Sequence, residues 1–208
     1  MIVRRVGIID YNICNLNSVI RAFEEINVEV KIVTSKKNIY DCSHLVLPGV
    51  GSFQKGIENL NNLDLAIVLM EWVKSGKPLL GICLGMQLLA DIGYEFTETK
   101  GLGLIEGSIM KLRSDHEKFI LPHVGWNSVE NKGSNTLLKN IDDNNSFYFV
   151  HSYGYKETTP YYVKGLSNYF TSIVSIIEKE NIFGVQFHPE KSQKKGLKLL
   201  KNFIEFKC

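Results

Sequence analysis

The sequence predicts an α/β protein whose sheet is mostly parallel and doubly wound, with an antiparallel portion added in the second half. Two observations support this prediction. In the first half, short apolar runs alternate with segments of helical periodicity, which is the pattern of βαβ units. In the second half, strand-like runs follow one another with few helices between them. Because the 208 residues show no linker, repeat or low-complexity segment, we expect one domain over residues 1–208.

The alternation in the first half defines the predicted parallel sheet and its loops. The predicted strands are 3–10, 28–33, 45–47 and 79–82, and the predicted helices are 16–26, 66–73 and a segment from Leu84 onward. In parallel sheets the functional loops lie beyond the carboxyl ends of the strands. Three such loops are distinctive here: 11–15, 48–56 and the turn at Cys83.

The second half predicts the antiparallel portion. Its predicted strands are 104–112, 147–150, 161–166, 173–177 and 182–187, and a last helix is expected over 194–206. The segment 131–145 is rich in Asn, Asp and Gly but contains Leu137 and Leu138, so we expect a surface loop with a short helix.

Composition and charge exclude several classes of function. The formal charge of +2 with scattered lysines argues against binding to nucleic acid or to an anionic membrane surface. The four cysteines, Cys14, Cys42, Cys83 and Cys208, form no Cys-x-x-Cys pair, so we expect no zinc site and no disulfide framework, and no cofactor is predicted. The chain starts directly with a strand and has no membrane-spanning apolar stretch. These features predict a cytoplasmic protein.

Cys83 is the candidate nucleophile. It lies between an apolar run and a helical segment, with Gly81 two residues before it and Gly85 two residues after it. This is the pattern of a nucleophile elbow, in which a side chain at either flanking position would collide with the strained turn. The turn raises the sulfur above the strand ends and places it at a helix N-terminus, which favours the thiolate. The alternative is a buried structural cysteine in an ordinary turn.

The loop after the third predicted strand is the candidate oxyanion site. Gly49 and Gly51 flank Val50, and two glycines around one residue let the backbone turn its N–H groups into a cleft. An ordinary glycine turn would have the same composition.

His188 and Glu190 supply a candidate base with its orienting carboxylate. Pro189 keeps His188 out of the helical region. In an extended segment, residues two apart point the same way, so we expect the carboxylate to reach the imidazole. The predicted triad is Cys83 as nucleophile, His188 as general base and then acid, and Glu190 as the group that holds the tautomer. His123 and His151 are alternative bases, but neither has a carboxylate two residues on.

The motifs Gly-Ile-Cys-Leu-Gly-Met-Gln (81–87) and Phe-His-Pro-Glu (187–190) resemble those of the class I, triad-type glutamine amidotransferases. Further stretches resemble the glutaminase subunits of imidazole glycerol phosphate synthases, and they cover nearly the whole chain: 47–53, 100–107, 121–127, 148–153 and 186–192. The resemblance implies the class I glutamine amidotransferase fold and hydrolysis of L-glutamine to glutamate and ammonia.

The resemblance also implies roles for particular residues. Gln87 and Glu95 would bind the α-amino and α-carboxylate end of glutamine. The segment His151-Ser152-Tyr153 would supply backbone contacts, and Gly49 to Gly51 with the Leu84 N–H would surround the amide oxygen.

A heterodimer partner follows from the same resemblance. Ammonia would pass to a separate cyclase/synthase subunit, a barrel of the HisF type, that makes imidazole glycerol phosphate and AICAR in histidine biosynthesis. The residues implied at that interface are Asn12, Asn15, His123, Trp126 and Asn127.

One loop departs from the family pattern, which is Asp-Tyr-Gly-x-Gly-Asn. Asn12 and Cys14 replace the two glycines. Asn tolerates left-handed backbone angles, whereas a cysteine there would be strained and would change the loop. The departure leaves open a paralogous role, in which the ammonia aminates a bacterial surface sugar.

Two other classes are weaker alternatives. Cysteine peptidases and deglycases of this fold usually have His directly after the nucleophile, where this chain has Leu84. A non-catalytic binding subunit would not need an intact triad.

Overall fold

The computed structural model describes residues 4–39, 41–142, 145–156 and 158–206. The helices are α1 (Leu16–Glu25), α2 (Phe53–Asn62), α3 (Leu65–Lys74), α4 (Leu84–Leu88) and α5 (Gln193–Glu205). The strands are β1 (Arg5–Ile9), β2 (Glu29–Val33), β3 (His44–Leu47), β4 (Leu79–Ile82), β5 (Ile92–Gly93), β6 (Thr99–Lys100), β7 (Ser108–Lys111), β8 (His123–Ser128), β9 (Glu130–Asn131), β10 (Ser146–His151), β11 (Tyr153–Lys156), β12 (Val163–Asn168), β13 (Ser172–Lys179) and β14 (Ile182–Val185).

The main sheet has the strand order β2-β1-β3-β4-β14-β13-β12-β9. The strands from β2 to β14 in this order are parallel, and those from β14 to β9 are antiparallel. Smaller sheets pair β10 with β8 and join β11, β7, β5 and β6. The prediction of a mostly parallel sheet with an antiparallel addition is therefore confirmed.

Helices cover both faces of the main sheet. On one face, α1 and α5 bury Phe23 and Phe203 against β1, β4 and β14. On the other face, α2 and α3 bury Leu60 and Leu69. Every residue of β3 and β4 is buried, as expected for central parallel strands that are covered on both sides.

Several predicted elements differ from the structure. The predicted loop 48–56 is too long, because α2 begins at Phe53 and its apolar positions were hidden by polar neighbours. The predicted strand 104–112 is reduced to β7, since the backbone N–H groups of Leu104 and Ile105 both bind Leu89 O and hold this stretch against the end of α4.

Other differences lie in the second half. Strand β8 was not predicted, and the stretch 161–166 begins with a short 3-10 helix, Pro160–Tyr162, before β12. The expected short helix in 131–145 is a turn over 137–140 in the described part of that segment, although Leu137 and Leu138 are buried as their apolar character implies. Some predicted features lie outside the described residues. They are the start of the first predicted strand at residue 3, part of the 131–145 segment at residues 143 and 144, and the C-terminal residues 207 and 208, which include Cys208.

Two searches of the described residues were negative. Within residues 4–206, leaving out the three internal gaps, no helix combines the length and apolar character needed to cross a bilayer. The same residues bring together no group of three or more His, Cys, Asp or Glu side chains suited to a metal ion.

The sheet order decides where the candidate site lies. Strands β3, β4 and β14 are neighbours and run parallel, so their carboxyl ends meet at one edge. This edge brings together the loop after Leu47, the turn at Cys83 and the segment that follows Val185.

Candidate active site

The turn at Cys83 has the strain predicted from its glycines. Cys83 has φ 53° and ψ −110°, and its N–H donates to Val185 O over 2.8 Å. A Cβ atom on Gly81 would lie 2.7 Å from the Met86 backbone, and one on Gly85 would lie 1.7 Å from Leu47 O. Both flanking glycines are therefore required by close backbone contacts.

The helix after Cys83 is shorter than predicted. It has five residues, Leu84–Leu88, so the dipole of a long helix does not act on the sulfur.

His188 and Glu190 form a close pair. His188 Nδ1 lies 2.7 Å from Glu190 Oε1, and both side chains are almost fully buried. The pairing arises from a 3-10 helix, Pro189–Lys191, and not from the extended segment that was predicted. Nε2 has no hydrogen-bond partner among the described residues, and the His188 side chain lines the same cavity as Cys83.

The environment of His188 favours its charged form. Burial alone would lower the pKa of the imidazole, but the Cys83 side chain and the Glu190 carboxylate raise it to about 10. The raised pKa favours the protonated imidazole of His188 at neutral pH.

A cavity of about 340 Å³ opens in front of Cys83 and His188. It contains most of the residues that the sequence predicted around glutamine, whereas Gly49 and Glu190 do not line it. The lining residues are Val50, Gly51, Cys83, Leu84, Gln87, Glu95, Pro122, Val150, His151, Ser152, Tyr153 and His188.

Gln87 and Glu95 face this cavity with their acceptor atoms. Gln87 Nε2 donates to Tyr153 O over 2.8 Å and to Gln186 Oε1 over 3.0 Å, so only its Oε1 remains for a ligand. Glu95 Oε2 accepts the Phe53 N–H over 2.7 Å at the start of α2. The two side chains are suited to an ammonium group more than to a carboxylate.

The candidate oxyanion loop is not assembled as predicted. The Val50 N–H donates to Ile13 O over 2.9 Å and is therefore unavailable to a ligand in this conformation. A Cβ atom on Gly49 would lie 2.1 Å from Tyr11 Oη, so this glycine permits close packing of the loop.

His123 and His151 are not free bases. His151 Nδ1 must donate to Tyr153 O at 2.8 Å, which makes its Nε2 an acceptor for His123 Nδ1 at 3.0 Å. His123 Nε2 in turn accepts from Asn127 Nδ2 at 3.3 Å. Burial lowers the pKa of each histidine to about 4. All four ring nitrogens are occupied in neutral histidines.

The predicted interface residues divide into exposed and interior groups. Asn12 and Asn15 are exposed, and Trp126 is 50% exposed on the outer face of β8. The prediction is wrong for His123, which is 2% exposed, because alternation along β8 turns it inward. Asn127 also points inward and donates to Asn168 O over 2.9 Å.

The loop with the altered glycines keeps a regular shape. Asn12 has φ 69° and its N–H binds Asp10 Oδ1 over 3.1 Å, as expected of a left-handed Asn. The predicted strain at Cys14 is absent, because Cys14 does not have a positive φ. Burial and the Asp10 carboxylate raise the pKa of its thiol to about 12, so it is no rival nucleophile.

Three residues near Cys83 were missed from the sequence. Pro122 and Val150 line the cavity, and Gln186 donates from Nε2 to Cys83 Sγ over 3.8 Å. The position of Gln186, two residues before His188, was a signal that its side chain points the same way. No local signal identified Pro122.

Comparison with known proteins agrees with this geometry. The family "Glutamine amidotransferase class-I" matches residues 7–206. The chain belongs to the class I glutamine amidotransferases.

Its sequence relatives are more specific. A protein of Pelagibacter ubique (strain HTCC1062) named "Imidazole glycerol phosphate synthase subunit HisH" is 43% identical over 204 residues, covering 96% of this chain and 98% of that protein. A Campylobacter jejuni (strain RM1221) protein named "Imidazole glycerol phosphate synthase subunit HisH 1" is 44% identical over 200 residues, covering 96% and 98%.

Solved structures share the fold at low identity. "Structure of PurLQS from Thermotoga maritima" superimposes with a TM-score of 0.75 at 19% identity, covering 97% of each chain. "Crystal structure of glutamine amidotransferase" gives 0.73 at 18% identity, covering 96% of this chain and 97% of the other.

Proposed function

We propose that this chain is the glutaminase subunit of an imidazole glycerol phosphate synthase and uses Cys83, His188 and Glu190 to release ammonia from L-glutamine. The observation that supports this most strongly is the buried His188–Glu190 pair beside Cys83, at the base of a cavity that also holds Gln87 and Glu95. The relatives named for this subunit support the same assignment at 41–44% identity.

The proposed reaction begins with attack of the Cys83 thiolate on the side-chain amide carbon of glutamine. The resulting oxyanion is held by backbone N–H groups, including that of Leu84. Collapse breaks the C–N bond, and the His188 imidazolium protonates the departing nitrogen, so that ammonia and a thioester form. Neutral His188 then takes a proton from water, which attacks the thioester and releases glutamate.

The Glu190 carboxylate keeps the proton on the correct ring nitrogen. Because it accepts from Nδ1, Nε2 faces the sulfur and the leaving nitrogen. The high pKa of His188 means that the proton needed by ammonia is already present when glutamine binds.

The ammonia would pass to a separate cyclase/synthase subunit of the HisF type, in the cytoplasm. The face proposed for this partner contains the exposed side chains of Asn12, Asn15 and Trp126, and inward-facing Asn127 supports it from β8. Delivery inside a complex avoids loss of ammonia by protonation and diffusion.

The lone subunit would be held in an unready state. The Val50 N–H is bound to Ile13 O, in the same loop that carries Asn12, so a partner that moves this loop would release the donor. We expect glutamate release to rise strongly when the synthase subunit and its substrate are added. Full activity of the lone subunit would contradict this proposal.

A second candidate function keeps the same chemistry with a different acceptor. Asn12 and Cys14 lie where the family pattern has glycines, and this departure is the observation that favours a paralogous partner that aminates a bacterial surface sugar. A pull-down of the partner followed by an assay with both kinds of acceptor separates the two. A partner without a phosphoribosyl substrate site would exclude the histidine pathway.

The decisive experiment compares wild type with Cys83→Ala and His188→Asn in complex with the partner. We expect each variant to lose glutamate release by at least about 10³-fold. Covalent labelling of Cys83 by a glutamine-like electrophile provides an independent measurement. Unchanged glutamate release in Cys83→Ala would contradict the proposal and favour the alternative that this chain is a non-catalytic binding subunit.

A further inference from the structure

We propose that Gln186 is a further catalytic residue, whose carboxamide donates a hydrogen bond to the Cys83 sulfur and stabilises its negative charge. The inference rests on the proposed function, because it assigns a role at the same sulfur. Gln186 is completely buried, and its Nε2 lies 3.8 Å from Cys83 Sγ.

The backbone places Gln186 and His188 on the same side of one segment. The Gln186 N–H binds Ser175 O over 3.0 Å, and the His188 N–H binds Tyr148 O over 2.8 Å. Phe187 between them points the other way and stacks on Phe147 with ring centroids 4.1 Å apart. The amide and the imidazole therefore approach the sulfur from neighbouring positions that packing holds in place.

The direction of the Gln186 amide follows from its partners. Tyr153 O can only accept, so the Gln87 atom that faces it at 2.8 Å must be the Nε2 donor. The same Nε2 lies 3.0 Å from the Gln186 amide, so the Gln186 atom on that side must be the oxygen. The Gln186 NH₂ group is then left facing the sulfur.

A second donor contacts the same carbonyl oxygen. His151 Nδ1 also donates to Tyr153 O, over 2.8 Å, which commits that oxygen as an acceptor from two sides. Gln87, which lines the cavity, therefore donates to Gln186, and Gln186 in turn donates to the Cys83 sulfur.

The chemical consequence is that Gln186 can stabilise the negative charge on the Cys83 sulfur without contacting the glutamine substrate. Gln186 does not line the cavity, so it acts on the sulfur from the interior of the protein. A buried N–H donor stabilises a thiolate before attack and when the thioester is broken. Since the helix after Cys83 is only five residues long, this donor supplies stabilisation that a longer helix would provide.

The test replaces the donor with apolar side chains of two shapes, in Gln186→Met and Gln186→Leu. The first measurement is the rate of Cys83 alkylation by iodoacetamide in the full chain at pH 7, followed by peptide mass spectrometry. The second is kcat and KM for glutamate release in the complex with the synthase subunit. Circular dichroism and thermal unfolding establish the folded fraction for each variant.

We expect both variants to lose roughly 10-fold or more in alkylation rate and in kcat, normalised to folded protein. KM should change by less than about 3-fold, because Gln87 keeps its bond to Tyr153 O. Equal losses in the two variants indicate the missing donor, whereas a role in packing alone predicts losses that follow shape and stability.

Asn202→Leu is the matched control. Asn202 is also a buried amide, and its Nδ2 donates to Leu137 O and Lys139 O, away from the cavity. We expect this variant to lose stability but to keep the alkylation rate of its folded fraction.

The outcomes separate the inference from the proposed function. If either Gln186 variant keeps alkylation and kcat within about 2-fold of wild type while Cys83→Ala has lost glutamate release, the inference is overturned and the function stands. If Cys83→Ala retains glutamate release, the proposed function itself fails.

Discussion

His188 and the pair formed by His123 and His151 are all buried near the same cavity, yet their protonation differs. Burial lowers the pKa of His123 and His151 to about 4, and no carboxylate contacts either ring among the described residues. His188 is equally buried, but Glu190 and Cys83 raise its pKa to about 10. The comparison shows that the neighbouring Cys83 side chain and a paired carboxylate reverse the effect of burial on the pKa of His188.

The same comparison separates structural from chemical histidines. Every nitrogen of the His123–His151 pair is committed to a fixed partner, and the pair holds Tyr153 O in place. His188 keeps Nε2 for the sulfur. Proximity to the cavity is therefore not sufficient for a base, and the pattern of hydrogen bonds decides the role.

Removing the carboxylate should have the largest effect. In Glu190→Gln, His188 would resemble His151, because the amide neither attracts a proton nor holds the same tautomer. We expect kcat for glutamate release in the complex to fall by roughly 10²–10⁴-fold at pH 7. Glu205→Gln, an acidic residue at the end of α5, is a control with expected wild-type kcat. A loss below about 3-fold in Glu190→Gln would show that the Glu190 carboxylate does not decide the protonation of His188.

Acidification should destabilise the fold through the neutral histidines. His44, His123 and His151 have folded pKa values of about 4, below the ordinary value of 6.5, so the unfolded chain binds more protons between these limits. Stability should be lost as pH falls from about 6.5 to 4, by on the order of 3 kcal/mol for each histidine, because one pKa unit corresponds to about 1.4 kcal/mol. Urea unfolding across this range measures the slope.

The contribution of His188 to stability depends on pH with the opposite sign. Its folded pKa is raised, so its contribution to stability is present below pH 6.5 and is lost as pH rises towards 10. His44→Phe should reduce the acid slope, because one neutral histidine is removed from a site beside Phe203. If His44→Phe leaves the pH dependence of the unfolding free energy unchanged, His44 does not contribute to the loss of stability in acid.

Loss of one member of the neutral pair should have the smallest effect. His123→Leu removes the donor to His151 Nε2 and leaves a buried acceptor unsatisfied, at a cost of about 1–3 kcal/mol in stability. We expect KM for glutamine to rise several-fold because the 151–153 segment loosens, with little change in Cys83 alkylation. A fall in kcat comparable with that of Glu190→Gln would contradict the structural role of His123.

Much of the candidate site could be predicted because its determinants are local. Gly81 and Gly85 are required by contacts within one turn and with the next strand, and His188 with Glu190 are separated by a single proline. Helix α2 was missed because its apolar positions are separated by polar residues, and the 104–107 stretch was misassigned because a distant carbonyl, Leu89 O, binds it.

The sequence by itself predicted the candidate nucleophile, its candidate base and the orienting carboxylate, since spacing along the chain is enough to constrain a strained turn and a His-Pro-Glu pair. Only the tertiary structure decided which atoms meet across the sheet edge: the bond from Val50 to Ile13, the inward face of His123 and the donor from Gln186 to the sulfur. The physical reason is that protonation and hydrogen-bond direction depend on burial and on partners from distant segments, and local spacing contains neither.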